Sequence, residues 1–224
     1  DAADLDEVIR LSQKDYISGI TTNPTLMRKS GVSNFEIFSK AVIANTTLPI
    51  SLEVFSDDLE EMYEQALKIS KWGNQVYVKI PITNTRGVST CELIKDLSEL
   101  KIKLNITAIL SKDQIDKSIE AINPQVASII SIFAGRIADT GINPEEYISY
   151  ALEKKRHLKK CEDLWASTRE IYNLYEAQNL NCDIITIPPN LLKKIEMKGM
   201  NLDILSLETV KMFYDDAVKT GYKI

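Results

Sequence analysis

The sequence predicts an α/β fold of the TIM-type (β/α)8 barrel class. Three observations lead there. Short runs rich in Ile, Val and Leu alternate with amphipathic segments along the whole chain. Within several of those runs the polar residues fall on one parity only. The same polar residues gather toward the C-terminal ends of the runs, where barrels of this class carry their active sites.

The elements follow in order. A helix is predicted over 4–14 and a strand over Ile17–Thr22. The helix over 33–45 has a start signal in Ser33-Asn34-Phe35-Glu36, and it leads to a strand at Ile50–Phe55. Ser56-Asp57-Asp58-Leu59 opens a helix over 57–72, which precedes the strand Gln75–Pro81. Then come a helix over 86–99, the strand Ile102–Thr107, a helix over 111–121 and the strand Ala127–Phe133. Asn143-Pro144-Glu145-Glu146 supplies a cap, a first-turn proline and two acids facing the positive end of a helix over 144–156. The strand Asp163–Ser167, a helix over 168–179, the strand Asp183–Ile187, a helix over 189–197 and a last helix over 206–220 complete the chain. No linker, repeat or low-complexity segment divides it, so one domain is predicted over 1–224.

Strand parity separates a barrel from a doubly wound sheet. In Gln75–Ile80 the even positions are Val76, Val78 and Ile80, and the odd ones are Gln75, Tyr77 and Lys79. Ile50, Leu52 and Val54 stand against Ser51, Glu53 and Phe55, and Ile102, Leu104 and Ile106 stand against Lys103, Asn105 and Thr107. A doubly wound sheet buries both faces under helices and has no use for a polar one. A barrel packs its apolar face on helices and opens the other into a site. The predicted inward set is Thr21, Asn23, Glu53, Lys79, Asn105, Thr107, Ser131, Ser167 and Thr186.

Composition narrows the function. The chain has 224 residues, 44% of them hydrophobic, and a formal charge of −5, which excludes a wholly disordered chain and argues against nucleic-acid binding as the main task. No run approaches the ~18 apolar residues of a membrane span, and the acidic start lacks the apolar stretch of a secretory signal. Cys91, Cys161 and Cys182 are far apart and read as reduced thiols of a cytoplasmic protein. His157 is the one histidine, so a multi-histidine metal site is excluded. It lies in the basic run Lys154–Lys160, read as a solvated helix end or loop, with an anion-binding patch as the alternative. Phosphate-loop, dinucleotide-binding and zinc-peptidase motifs are absent, and no cofactor or metal is expected.

Lys79 stands out. A lysine inside a barrel is costly while charged, and a neutral amine attacks carbonyls to form a Schiff base. A lysine paired with Glu53 for structure alone is the competing reading, and spacing does not choose between them.

The segments Gly19-Ile20-Thr21-Thr22-Asn23-Pro24, Val78-Lys79-Ile80-Pro81, Leu104-Asn105-Ile106-Thr107, Ser131 through Ile137, Ala166-Ser167-Thr168-Arg169 and Ile185 through Pro189 resemble the transaldolase family, in that family's order. The resemblance implies a class I aldolase-type barrel that passes a dihydroxyacetone unit between sugar phosphates. It implies that Lys79 forms the Schiff base with a donor such as sedoheptulose 7-phosphate or fructose 6-phosphate. Asp1 would take the proton from the donor's C4 hydroxyl, and Glu53 and Thr107 would hold a proton-shuttling water. Asn23, Asn105 and Ser131 would orient the dihydroxyacetone hydroxyls, with Thr21 near the lysine. Phe133 would line the substrate site, and Arg136, Ser167 and Arg169 would bind phosphate.

Fructose 6-phosphate aldolases, a related group, tend to carry Gln at the position of Glu53 and Tyr at that of Phe133. This chain therefore resembles the transferases there, while its compact length resembles the small subfamily that contains the aldolases. Thr168 stands where many relatives carry Phe. The resemblance also implies a homo-oligomer; the apolar residues of the segment Leu207–Asp216, at helical spacing, either pack on their own barrel or contribute a helix to a ring-like assembly, and the sequence does not choose. Seven strands are visible where the barrel needs eight. The missing one should run directly into Asp1, so the natural chain is expected to extend upstream by at least a short strand.

Overall fold

The computed structural model describes residues 1–221; the last three positions of the domain predicted over 1–224 lie outside the described residues. Seven strands form one parallel sheet in sequence order. They are β1 (Ile20–Thr21), β2 (Ile50–Glu53), β3 (Val76–Pro81), β4 (Leu104–Ile109), β5 (Ser128–Ile132), β6 (Cys161–Trp165) and β7 (Ile184–Ile185). Eleven α-helices are described: α1 (Leu5–Ser12), α2 (Pro24–Lys29), α3 (Phe35–Asn45), α4 (Leu59–Ser70), α5 (Cys91–Glu99), α6 (Lys112–Ala121), α7 (Ala134–Asp139), α8 (Glu145–Lys154), α9 (Tyr172–Leu180), α10 (Pro189–Leu192) and α11 (Leu202–Thr220).

The two faces of the sheet bury different residues, as the alternation predicts. Ile50, Leu52, Val78, Ile80, Leu104, Ile106, Ile130 and Ile132 pack outward in one cluster with helix residues such as Val42, Ala66, Ile94, Leu97, Ile115 and Ile148. A second, smaller cluster joins Ile129, Leu164 and Ala166 to Tyr77, Phe133 and Ile184, and lines the inside. Helices thus cover one face only, and the other closes on itself.

Closure is visible at the two ends of the strand order. The backbone nitrogen of Asp1 donates to the Ile187 carbonyl at 3.2 Å, and the Ala2 N–H donates to the Thr21 carbonyl at 3.0 Å. Residues 1 and 2 therefore bridge β1 and β7 at the C-terminal rim. The hydroxyls of Thr21 and Thr186 also meet across this seam, at 2.5 Å. Away from the rim the seam is open. There Ile17, Ser18, Ile184 and Ile185, together with Tyr77, Ile129 and Leu164, border a cavity of about 500 Å³.

Several boundaries differ from prediction for local reasons. Asn34, not Ser33, caps α3, its side chain accepting the Ile37 N–H at 2.9 Å. The start of α5 is later than 86, because Thr83 and Ser89 form a bridge around Gly87, which turns at φ 75°. The helices α2 and α7 went unpredicted; Asn23-Pro24 carries the cap and first-turn signal for α2. Phe55 lies beyond β2 and does not face inward; it stacks edge-on against Phe35 of α3, with ring centroids 4.5 Å apart. The strand predicted over Asp163–Ser167 lies at Cys161–Trp165. Leu164 therefore faces the interior cluster, and Ser167 falls beyond the strand.

Asp163 explains that shift. It is fully buried on the outer face, with its carboxylate 3.1 Å from the Lys155 ammonium. Lys155 also pairs with Asp183 and donates to the Cys161 carbonyl at 3.1 Å. Burial pushes the Asp163 carboxyl up to about 6. Lys155 is the buried member of the basic run read as solvated, while Arg156, His157, Lys159 and Lys160 are exposed. It pins the end of α8 to β6 and the start of β7. Replacing it with Met leaves two carboxyls without their cation. The Lys155→Met variant is expected to lose about 3–5 kcal/mol of unfolding free energy; a urea melt followed by circular dichroism checks this, and an unchanged midpoint would contradict it.

Candidate active site

Strand register assembles the centre of the site. β2 and β3 pair Glu53 with Lys79, and β3 and β4 pair Lys79 with Asn105. Parallel neighbours in register project to the same side, so three chemically distinct groups share one tier inside the barrel. Lys79 is 7% exposed. Its Nζ lies 3.1 Å from Glu53 Oε2 and donates to the Thr22 carbonyl at 3.2 Å. An unpaired ammonium here would carry a heavy desolvation cost, which the carboxylate and carbonyl offset.

Asn105 is completely buried and held from both sides. Its Nδ2 donates to Ser51 Oγ at 2.9 Å, and its Oδ1 accepts from Ser131 Oγ at 2.6 Å. Three strands thus fix one amide. Thr107 stands further along β4, in register with Pro81. Its hydroxyl is buried and has no hydrogen-bond partner among the described protein atoms. Just beyond it the register of β4 shifts, and Ala108 takes a φ of 60°. A buried, unmatched hydroxyl beside a site is positioned for a water or a ligand.

A second group forms where the seam closes. Asp1 Oδ1 accepts from Thr21 Oγ1 at 3.2 Å and from Asn23 Nδ2 at 3.3 Å. Asn23 is oriented by a helix cap, because its Oδ1 accepts the Leu26 N–H at 3.0 Å and so turns its Nδ2 toward Asp1.

A third group lies over β5 and β6. Phe133 packs on the interior cluster, and the Arg136 guanidinium stands over its ring, 5.8 Å from the centroid. Arg136 is exposed and forms no ion pair among the described residues. Arg169 is placed differently: Asp139 of α7 holds its guanidinium through both Nε and Nη2. Ser167 adopts a left-handed φ of 66° in the turn after β6.

The structure therefore pairs Lys79 with Glu53, sets Asn105 and Ser131 beside them in register as a separate hydrogen-bonded group, and joins Asp1, Thr21 and Asn23 in another. Ser51 and Thr186 belong to these networks and were read from sequence only as members of the polar parity. The Thr22 carbonyl and the Asp139 partner of Arg169 left no mark that sequence reasoning could use. No group of three or more metal-ligating side chains occurs among the described residues.

A buried lysine paired with a carboxylate lies toward the C-terminal end of its strand inside a parallel α/β barrel, the end where enzymes of this architecture carry their sites. The chain belongs to the transaldolase/fructose-6-phosphate aldolase family, whose model matches residues 1–224. A probable transaldolase of Brucella anthropi is 34% identical over 225 residues, covering 100% of this chain and 97% of the relative. One of Bdellovibrio bacteriovorus is 30% identical over 224 residues, covering 100% and 98%. Among solved structures, a dihydrodipicolinate synthase from Rhodopseudomonas palustris aligns at a TM-score of 0.47 and 12% identity over 98% of this chain and 75% of that one. The protein is a transaldolase-type enzyme.

Gly135 controls how the β5 and β6 loops meet. A Cβ there would lie 1.7 Å from the Ser167 carbonyl oxygen and 3.1 Å from Arg169 Cγ. Gly135→Ala must push the Ser167 turn away at a cost of about 1–3 kcal/mol. A lowered melting temperature is expected, and one equal to the unsubstituted protein would contradict the packing described.

Proposed function

We propose that the enzyme transfers a dihydroxyacetone unit between sugar phosphates through a Schiff base on Lys79. The observation that carries this is the Lys79–Glu53 pair at 3.1 Å inside the barrel. The Lys79 amine gives up a proton to Glu53 and adds to the C2 carbonyl of the ketose donor. Glu53 then returns a proton as the carbinolamine loses water, through a water that Thr107 also holds. The resulting iminium withdraws electrons. Asp1 takes the proton of the C4 hydroxyl, the C3–C4 bond breaks, and its electron pair forms an enamine on Lys79 as the aldehyde leaves. The acceptor aldehyde is attacked by that enamine, Asp1 returns the proton to the new alkoxide, and water releases the product ketose. Erythrose 4-phosphate leaves and glyceraldehyde 3-phosphate enters when sedoheptulose 7-phosphate is the donor.

Asn105, fixed by Ser51 and Ser131, presents an amide that does not have to be ordered when the donor binds. Asn23 contributes likewise from its cap. Arg136 forms no ion pair among the described residues and suits the donor phosphate. Ser167 and Arg169 complete that subsite, with Asp139 holding the Arg169 fork at the loop. The carboxylate at Glu53 and the ring at Phe133 favour transfer over direct cleavage of fructose 6-phosphate. Release of glyceraldehyde 3-phosphate from fructose 6-phosphate beyond one equivalent per active site should therefore depend on erythrose 4-phosphate, which a coupled assay with and without the acceptor measures; equal steady-state release in both would make the enzyme an aldolase. Glu53→Gln should cut kcat by about 10²–10⁴-fold, and wild-type turnover in that variant would remove Glu53 from the mechanism.

The residues 1–224 are read as one barrel domain of a cytoplasmic homo-oligomer. The three cysteines are unpaired, and no described helix is long and apolar enough to cross a membrane. The oligomer reading is supported by α11, which buries none of its residues. Leu202, Val210, Phe213, Tyr214 and Val218 are all at least 60% exposed. An apolar helix of this kind calls for cover, and a second copy of the chain is the proposed cover. Phe213→Asp should shift the species seen by light scattering toward the monomer; a wild-type protein that is already monomeric at micromolar concentration would contradict the assembly.

A further inference from the structure

The seam between β1 and β7 carries a hydroxyl whose role the mechanism above does not use. Thr186 Oγ1 lies 2.5 Å from Thr21 Oγ1, and either atom is able to donate. The surroundings decide which one does. A carboxylate only accepts, so the contact between Thr21 Oγ1 and Asp1 Oδ1 at 3.2 Å consumes the one hydroxyl proton of Thr21. In the contact with Thr186, Thr21 must then accept, and Thr186 must donate. The chain of donors runs from Thr186 to Thr21 to Asp1, and Asn23 donates to the same Asp1 oxygen at 3.3 Å.

Thr186 is also held more firmly than a hydroxyl at a strand end usually is. Its N–H donates to the Trp165 carbonyl at 3.0 Å. Its carbonyl accepts from Thr168 Oγ1 at 2.7 Å, and Thr168 is buried. With both backbone groups fixed, the Thr186 side chain has a fixed origin, and the direction of its O–H is set by the only hydroxyl recorded against it. A free Thr21 rotor would divide its proton between Asp1 and other acceptors. A Thr21 that already receives a proton from Thr186 does not.

We infer that Thr186 is a positioning residue for proton transfer at Asp1, acting through Thr21. Its donated hydrogen bond commits the Thr21 proton to Asp1, which holds the carboxylate at the orientation needed to take the C4 hydroxyl proton. Thr168 serves this arrangement by anchoring the Thr186 backbone. The inference rests on the assignment of Asp1 as the base, and the experiment keeps the two apart. Schiff-base formation at Lys79 precedes carbon–carbon cleavage and does not need Asp1, whereas cleavage does.

The test is single-turnover kinetics with fructose 6-phosphate. Adduct formation is followed by borohydride trapping, and cleavage is followed by release of glyceraldehyde 3-phosphate. Thr186→Val keeps the side chain's shape and removes the donor. It should leave the trapping rate within twofold of wild type and slow cleavage by about tenfold, the scale of one hydrogen bond. Thr186→Ser keeps the donor and should restore cleavage. In a Thr21→Val background the Thr186→Val change should add nothing further. If Thr186→Val fails to fold, as judged by circular dichroism, Thr186→Ala carries the same expectations.

The inference is overturned if cleavage is unchanged in the Val variant. It is equally overturned if trapping and cleavage slow together, which marks a mere clasp of the seam, or if the effect persists undiminished in the Thr21→Val background. Failure of wild-type enzyme to trap any adduct on Lys79 overturns the Schiff-base reading instead.

Discussion

A charged lysine has no place inside a barrel unless something there accepts its protons, and the pairing of Lys79 with Glu53 meets that demand. The pair exists because β2 and β3 run parallel with Glu53 beside Lys79. A slip of one residue would turn Lys79 into the apolar layer beneath the helices and bring Val78 or Ile80 into the site. The fully buried Val78 and Ile80 resist that slip by packing outward among the helices. Core packing therefore holds the chemistry in place. The same register continues to Asn105, so the Lys79 amine, its carboxylate and the fixed amide stay in one tier without any loop to hold them.

The second carboxylate depends on a different constraint, the closing of the sheet. Asp1 reaches the site because residues 1 and 2 bond to the ends of both β1 and β7. The carboxylate is then gripped from β1 by Thr21 and from the cap of α2 by Asn23. In the proposed mechanism, closure and catalysis share these atoms. Changes along the seam bear on the base, while the Lys79 tier, on the adjoining strands β2 to β5, is buttressed on both sides. The Lys155–Asp163–Asp183 cluster lies at the other end of β6 and β7 and holds the frame from below.

Much of this was legible because a strand has a period of two. Glu53, Lys79, Asn105, Thr107 and Ser131 announce a polar inner face by parity alone, and the structure puts Glu53 with Lys79 and Asn105 with Ser131 in two neighbouring contacts. Parity failed where the backbone leaves the strand. Ser167 was placed inward by counting, but β6 ends at Trp165, and a φ of 66° redirects the chain. The phosphate role of Arg169 came from the family resemblance, and its carboxylate partner Asp139, thirty positions away, is visible only in three dimensions. Lys155 looked like one more solvated base in a basic run, since nothing local signals a buried acid on β6. Backbone acceptors such as the Thr22 carbonyl carry no side-chain signature at all.

The central claim is that Lys79 is the nucleophile. Trapping with borohydride in the presence of fructose 6-phosphate, followed by peptide mass mapping, tests it most directly. One reduced dihydroxyacetone adduct is expected, on the peptide containing Lys79, and none in a folded Lys79→Met variant. A folded, substrate-treated protein with no adduct, or with the adduct on another lysine, would contradict it.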